Sequence, residues 1–352
     1  MTTFPTEFIH TLHTRLSQAS NPVIVTHMKP DGDAIGSSMG MYHTLKNIYS
    51  KNAKVALANP APVYLDFLLP EEVGKDIFIY EQRPEETERA ILESDLIICL
   101  DFNAFHRTDT LCNILERSAA DKILIDHHLS PDRDKFVLVF SETEISSASE
   151  LLYHILLELP PINGDVSKLP HQAATALMTG MTTDTNNFAN SVYPSTFVMA
   201  SRLIEAGVDR NMIISKLYHR SKESRLRLQG HILKELMKIT DDGVAYVILD
   251  RETMSRYNVE EGDTEGFVNI PLSIDKVLMS IFIKEDNGYA RVSIRSKQGI
   301  SANMCSRLHF NGGGHENAAG GRLYIPADIA NLHDAANYIE KHTHTFMNKE
   351  NE

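Results

Sequence analysis

The 352-residue sequence is poor in cysteine, in long apolar runs and in positive charge, and each shortage removes a class of protein. Its three cysteines, Cys99, Cys112 and Cys305, lie far apart with no CxxC spacing, which argues against a disulfide framework and a thiolate zinc site. Cys99 sits in the apolar run LIICL and is expected in the core. No stretch approaches the roughly 18 consecutive apolar residues of a transmembrane helix. The opening MTTFPTEFIHTLHTRL lacks the basic, apolar and small-residue sections of a signal peptide. No membrane association is expected, and the cytoplasm is the expected location. Lys and Arg total 34 against 47 Asp and Glu, a net charge of −13. Tight binding of long nucleic acid is therefore not expected, because it needs clustered cations to displace counterions. A short nucleotide is compatible with that charge, and bound divalent ions would reverse the local field. There is no internal repeat and no low-complexity segment.

What is present is an ordinary globular composition, 42% hydrophobic and 23% charged, at a length that favours two domains. Short apolar runs rich in β-branched residues at 22–26, 54–58, 77–80, 95–101, 122–126 and 136–140 alternate with helix-like stretches at about 5–18, 34–49, 84–94, 108–118, 146–159, 168–180 and 195–206. That alternation predicts an α/β domain, a mainly parallel sheet with helices on both faces, over 1–207. The highly charged stretch 208–240 reads as a helical linker. Beyond it, strands at 244–250, 276–285 and 289–296, a helix near 301–309, a glycine cluster and a strand around 321–325 predict a smaller α/β domain over 241–345.

Residues able to carry chemistry gather at the ends of these elements. Strand 22–26 runs into THMKPDGDAIGSS, which places His27, Asp31 and Asp33 in the loop before a helix starting near Ala34. In an open α/β sheet, loops at the carboxyl ends of the strands form the ligand crevice. Two aspartates beside Gly32 also read as turn and N-cap residues. DLIICLDFNAFHR ends its apolar part abruptly at Asp101, and KILIDHHLS ends its own at Asp126, followed by His127 and His128. An aspartate before two histidines has the hard-to-borderline donor character of a metal site. Because successive residues alternate across a strand, one histidine is expected to face metal and the other substrate. ALMTGMTTDTNNFAN places Asp184 in a Thr- and Asn-rich loop. Together these donors suit two divalent ions about 4 Å apart, bridged by a carboxylate, which clamp the attacking and leaving oxygens of a phosphoryl displacement. Carboxylate and imidazole without thiolate favours manganese or magnesium.

Asn311-Gly312-Gly313-Gly314-His315 reads either as a flexible turn or as a nest of backbone amides around a phosphate. With Arg295 ending a strand shortly before it, the second reading makes a phosphate clamp. Arg107 and His106, just after Asp101, are further candidates for substrate contact, their plain alternative being a charged helix face. His43, His154, His171, His219 and His231 fall on predicted helices at no ligand spacing and read as surface or packing residues.

HMKPDGDAIGS, LDFNAFHR, IDHH and TGMTTDTNNF resemble the four ordered motifs of the DHH phosphoesterase superfamily, and SIRSKQGISANMCSRLHFNGGGHENAAGG resembles the substrate-binding motif of its associated C-terminal domain. With TEGFVNIPLSI and the compact length, the likeness within that superfamily is to the nanoRNase and 3′-phosphoadenosine 5′-phosphate phosphatase group. The resemblance implies that His27, Asp31 and Asp101 hold one metal and that Asp33, Asp101, His127 and Asp184 hold the other. It implies that Asp126 orients the histidines and that His128 contacts the scissile phosphate. Two divalent ions, manganese with magnesium as the alternative, are the implied cofactors. The implied substrates are very short oligoribonucleotides, degraded to mononucleotides, and 3′-phosphoadenosine 5′-phosphate, converted to AMP. A cyclic-dinucleotide or linear dinucleotide phosphodiesterase shares the core motifs, and a non-catalytic nucleotide sensor is the alternative of another class. A sensor is expected to have lost ligands, and all are present here. A homodimer is compatible with the sequence.

Overall fold

The computed structural model describes residues 4–219, 222–260 and 262–350. The chain forms two compact units, 1–220 and 221–352.

In the first unit six strands form a wholly parallel sheet: β1 (Pro22–Thr26), β2 (Lys54–Leu57), β3 (Ile77–Ile79), β4 (Leu96–Leu100), β5 (Asp121–Asp126) and β6 (Leu138–Ser141). Their order is β3-β2-β1-β4-β5-β6. Around them run helices α1 (Thr6–Gln18), α2 (Gly32–Asn47), the single turn α3 (Glu71–Gly74), α4 (Pro84–Leu92), α5 (Cys112–Arg117), α6 (Ala148–Glu158), α7 (His171–Asp184), α8 (Pro194–Glu205) and α9 (Arg210–Tyr218). Strands β1 and β4 are buried along their whole length, as strands covered on both faces must be. Alternate residues serve opposite cores. Ile24, Ile98 and Ile125 join one core with α1, α2, α6 and α7, while Val23, Val25, Ile97 and Cys99 join the other with Ile91, Ile114 and Leu115.

The second unit carries a mixed sheet of β7 (Lys238–Ile239), β8 (Val244–Leu249), β9 (Met279–Glu285), β10 (Tyr289–Ser296), β11 (Gly313–His315) and β12 (Ala318–Tyr324). Its order is β11-β12-β10-β9-β8-β7, antiparallel except for β8 with β9. Helices α10 (Glu223–His231), α11 (Arg251–Arg256), α12 (Ala302–His309) and α13 (Ala335–Glu350) accompany it. The stretch 208–240 is shared between the units. Ile213 of α9 packs in the first unit's core, whereas Leu228 and Ile232 pack with Val247 and Phe282 of the second. Among the described residues no helix is long and apolar enough to cross a membrane.

The helix pair that frames the site is α2 with α7, which run antiparallel in close contact. A Cβ on Gly36 would lie 2.7 Å from the Ala176 carbonyl oxygen and from Gly180 Cα, so only glycine allows the two backbones to meet there. The N-terminus of α2 and the C-terminus of α7 are thereby brought to the same end of the sheet.

Candidate active site

Strand order reverses direction between β1 and β4, and the crevice at their carboxyl ends is where an open α/β sheet binds ligands. His27 follows β1, Asp101 follows β4, and Asp126 ends β5. Asp101 has φ of 62°, a left-handed backbone that non-glycine residues rarely adopt, and it is 2% exposed. Its amide donates to the Ile125 carbonyl at 3.2 Å, which ties the bend to the neighbouring strand.

Asp101 divides the site between its two oxygens. Oδ2 lies 3.4 Å from His27 Nε2, and Oδ1 lies 3.4 Å from His127 Nε2. Around the first oxygen, His27 Nε2 is 3.8 Å from Asp31 Oδ1. Around the second, His127 Nε2 is 3.9 Å from Asp33 Oδ2 and 3.7 Å from Asp184 Oδ2. Three clusters of potential ligand atoms result: His27, Asp31 and Asp101; Asp33, His127 and Asp184; and Asp101, His127 and His128. The geometry brings together all six residues named above as metal ligands.

Each donor is held by something behind it. His27 Nδ1 donates to the Met28 carbonyl at 2.8 Å, which leaves Nε2 to face the carboxylates. The Met28 amide in turn donates to the Arg107 carbonyl at 2.8 Å, so the backbone of Arg107 fixes this loop. Asp31 caps α2, its Oδ1 accepting the amides of Asp33 and Ala34, so its cap role and its place beside His27 coexist. His128 Nδ1 donates to Asp126 Oδ1 at 2.7 Å, which leaves Nε2 for another partner.

Four local expectations are corrected. Asp33 is not in a loop: α2 starts at Gly32, so Asp33 occupies its first turn, 1% exposed. Its oxygens accept the Ala148 and Ser149 amides at 2.6 and 2.9 Å, at the N-terminus of α6, where unpaired amides favour a carboxylate. Asp184 is the last residue of α7 rather than part of the following loop. His127 and His128 lie beyond the end of β5, so strand alternation does not separate them; both rings stand beside Asp101, 4.7 Å apart by centroid. The glycine cluster is not a nest, since Gly313–His315 pairs with β12 as an edge strand.

Elsewhere in the second unit, Asn311 Nδ2 donates to the Arg322 carbonyl and to Asp328 Oδ2, which spends that side chain on the fold. Gly312 lies against the Gly320 carbonyl, where a Cβ would not fit, and the Gly314 amide donates to Asn303 Oδ1. Arg295 on β10 is half-buried, and its Nη1 donates to the Ile294 and Ala319 carbonyls. Arg295, Ala318 and His315 share one row of the sheet by register; the His315 side chain lies outside the described residues.

The protonation pattern states what this donor set demands. Burial opposes charge on His27 and His127, yet the neighbouring carboxylates, Asp101 foremost, outweigh it and push both imidazoles up to about 10. Burial likewise opposes ionisation of Asp101, but His127 and His27 hold it below the usual carboxylate range. Burial and the Asp101 and Asp31 carboxylates raise Asp184 to about 6. Asp33 is pushed up by burial and then by Asp101 and Asp184. Carboxylates this close repel one another's charge, which a cation among them relieves, and oxygen and imidazole donors at these separations fit divalent ions.

Sequence reasoning missed a buried layer behind Asp33. Glu150 of α6, fully buried, accepts from the Ser146 amide and hydroxyl and from the Thr196 hydroxyl of α8 at 2.7 Å. It thereby fixes the turn whose next amides hold Asp33. Only the repeated serines of SSASE, an N-cap signal before an acidic residue, could have pointed to it.

Residues 21–181 match the DHH family, N-terminal domain, and residues 241–341 match the DHHA1 domain. A curated relative from Streptococcus mutans, named probable bifunctional oligoribonuclease and PAP phosphatase NrnA, is 29% identical over 88% of this chain and 92% of its own. The cyclic-di-AMP phosphodiesterase GdpP of Geobacillus thermodenitrificans is 28% identical over 89% of this chain but only 46% of its own. Among solved structures, an exopolyphosphatase-related protein from Bacteroides fragilis is 36% identical, covers both chains fully and superimposes with a TM-score of 0.91. The chain therefore belongs to the DHH family, with a DHH N-terminal domain followed by a DHHA1 domain.

Proposed function

We propose that the protein is a divalent-metal-dependent phosphoesterase that hydrolyses very short oligoribonucleotides to mononucleotides and 3′-phosphoadenosine 5′-phosphate to AMP, acting in the cytoplasm. The observation that carries this reading is Asp101, whose two oxygens face two separate sets of donors as a bridging carboxylate requires. His27, Asp31 and Asp101 would hold one ion; Asp33, Asp101, His127 and Asp184 would hold the second. Two bound cations supply charge neutralisation at the phosphoryl group and a strong nucleophile at neutral pH.

The chain's own residues do the rest. Asp126 fixes the His128 ring through Nδ1, so Nε2 is turned away from Asp126 and, in the imidazolium form, donates to a phosphoryl oxygen where negative charge grows. The α6 amides keep Asp33 in place with no adjustment during the reaction. In the second unit, Arg295 and the Gly312–His315 segment are assigned to the nucleotide end of the substrate, with Arg107 as a further phosphate contact. Support for the substrate comes from the S. mutans relative, matched over nearly its full length, and from the acidic chain, which suits a short oligonucleotide better than a long strand.

The test supplies purified protein, with manganese or with magnesium, in parallel with a labelled diribonucleotide, 3′-phosphoadenosine 5′-phosphate, cyclic di-AMP and inorganic polyphosphate. Turnover of the first two in preference to the others is expected. A preference for cyclic di-AMP or polyphosphate would overturn the substrate assignment, and no hydrolysis of any would overturn the enzymatic reading.

A further inference from the structure

Immediately after Asp184 the chain makes a turn that ordinary residues avoid. Asn186, Asn187 and Phe188 carry φ of 46°, 57° and 68° in succession. Asparagine tolerates this region, whereas a bulky ring seldom enters it. The turn is held from several sides. The Asn186 and Asn187 amides donate to the Thr183 and Thr182 carbonyls at 3.0 and 2.8 Å, the Phe188 amide donates to Thr185 Oγ1 at 3.1 Å, and Arg210 donates to Asn187 Oδ1 at 2.6 Å.

What the turn delivers is the ring of Phe188. It stacks on Phe197 of α8 with centroids 5.3 Å apart and planes 15° from parallel, and the Arg210 guanidinium carbon lies 5.8 Å from the Phe188 centroid. Phe197 nevertheless remains 53% exposed, with the adjacent Val198 38% exposed. An exposed apolar ring by itself means little. Here it is stacked on a ring that a strained turn holds four residues from a member of the catalytic cluster, and strain of this kind persists at ligand clamps.

The geometry points to Phe197, backed by Phe188, as a stacking platform for a nucleobase of the substrate, a subsite beside the phosphoester centre. This rests on the phosphoesterase reading above. Every base offers a π-face, so such a platform binds nucleotides with little base preference, while a substrate lacking a base gains nothing from it. The platform would make a cluster able to act on many phosphoesters selective for nucleotides.

Full-length protein with manganese, wild type and Phe197→Ala, tests this on diadenylate, with AMP and ribose 5-phosphate as product-like inhibitors. The ring is more than half exposed, so the variant should fold, and an unchanged melting temperature checks it. Loss of one stacked base is expected to lower kcat/KM about 10-fold, mainly through KM, and to raise the inhibition constant of AMP by a similar factor. The constant for ribose 5-phosphate should not move, and Phe197→Trp should restore wild-type behaviour. Unchanged kinetics in Phe197→Ala, or equal weakening of AMP and ribose 5-phosphate, would overturn the platform. If the wild type fails to cleave diadenylate, the short-RNA reading is what fails; calorimetric binding of AMP and ribose 5-phosphate then still decides the platform by the same comparison.

Discussion

One added methyl at Gly36 probes how the two helices carrying the site's carboxylates are held together. A Cβ there would sit 2.7 Å from Ala176 O, Gly180 N and Gly180 Cα, all backbone atoms of α7 that cannot swing aside. Comfortable carbon contacts lie near 3.5–4.0 Å, so relief requires the helices to part by about 1 Å. Overpacking of this kind costs about 1–3 kcal/mol, while alanine in place of glycine in a helix returns about 1 kcal/mol. Gly36→Ala should therefore lose up to about 2 kcal/mol, which lowers the melting temperature by up to about 8 °C in a unit of this size. Activity should fall further, by roughly 100-fold, because a displacement of about 1 Å moves Asp31 and Asp33 on α2 away from Asp184 on α7. Gly230→Ala in α10 is the control: a Cβ there meets nothing within 4 Å, so about 0.5–1 kcal/mol should be gained with turnover intact. Thermal melts and initial rates on the diribonucleotide decide the matter. Wild-type stability and rate in Gly36→Ala, or parallel shifts in both variants, would refute the close-packing argument.

Asp101→Ala removes the carboxylate shared by two donor sets and should abolish turnover of whichever substrate is cleaved, by steady-state assay; a near-normal rate would sink the bridging role. Manganese at 100 times its dissociation constant should stabilise the wild type by about 2.7 kcal/mol, visible as a rise in melting temperature that chelation reverses and Asp101→Ala abolishes. His43, 8% exposed, is held by burial and then by Lys46 at about 4, below its ordinary 6.5. The unfolded chain takes up that proton first, so stability should fall as pH drops from 6.5 toward 4, by about 3 kcal/mol at about 1.4 kcal/mol per unit. Urea titrations at pH 7 and 4.5 should show this loss in the wild type and not in His43→Gln; equal slopes would contradict it.

The sheet and the ends of its strands were legible because burial on both faces forces long apolar runs, and LIICLD or KILIDHH breaks from apolar to ionisable within one residue. Asp33 and Asp184 were legible as candidates and not as helical residues. TGMTTD has little helix propensity of its own, and α7 reaches Asp184 because glycine-mediated contact with α2 supports it. The amides that hold Asp33 lie 115 and 116 residues away, a relation no local pattern contains. The strand formed by the triple glycine was not legible for a related reason. Its lack of side chains admits close approach to another backbone as readily as to a phosphate, and β12 is what it meets.

That long reach of Asp33 also sets a clock. A chain synthesised at about 5–20 residues per second needs roughly 8–30 s after Asp33 before Asp184 exists. Over that interval the partners of His27, Asp31 and Asp33 arrive in turn, from β4, then β5, then the α6 amides, and Asp184 at the end of α7 comes last. The ion-holding cluster can close only when more than half of the chain has been made. Gathering of the six donors is thus a late event in the making of the first unit, reached only when α7 is complete.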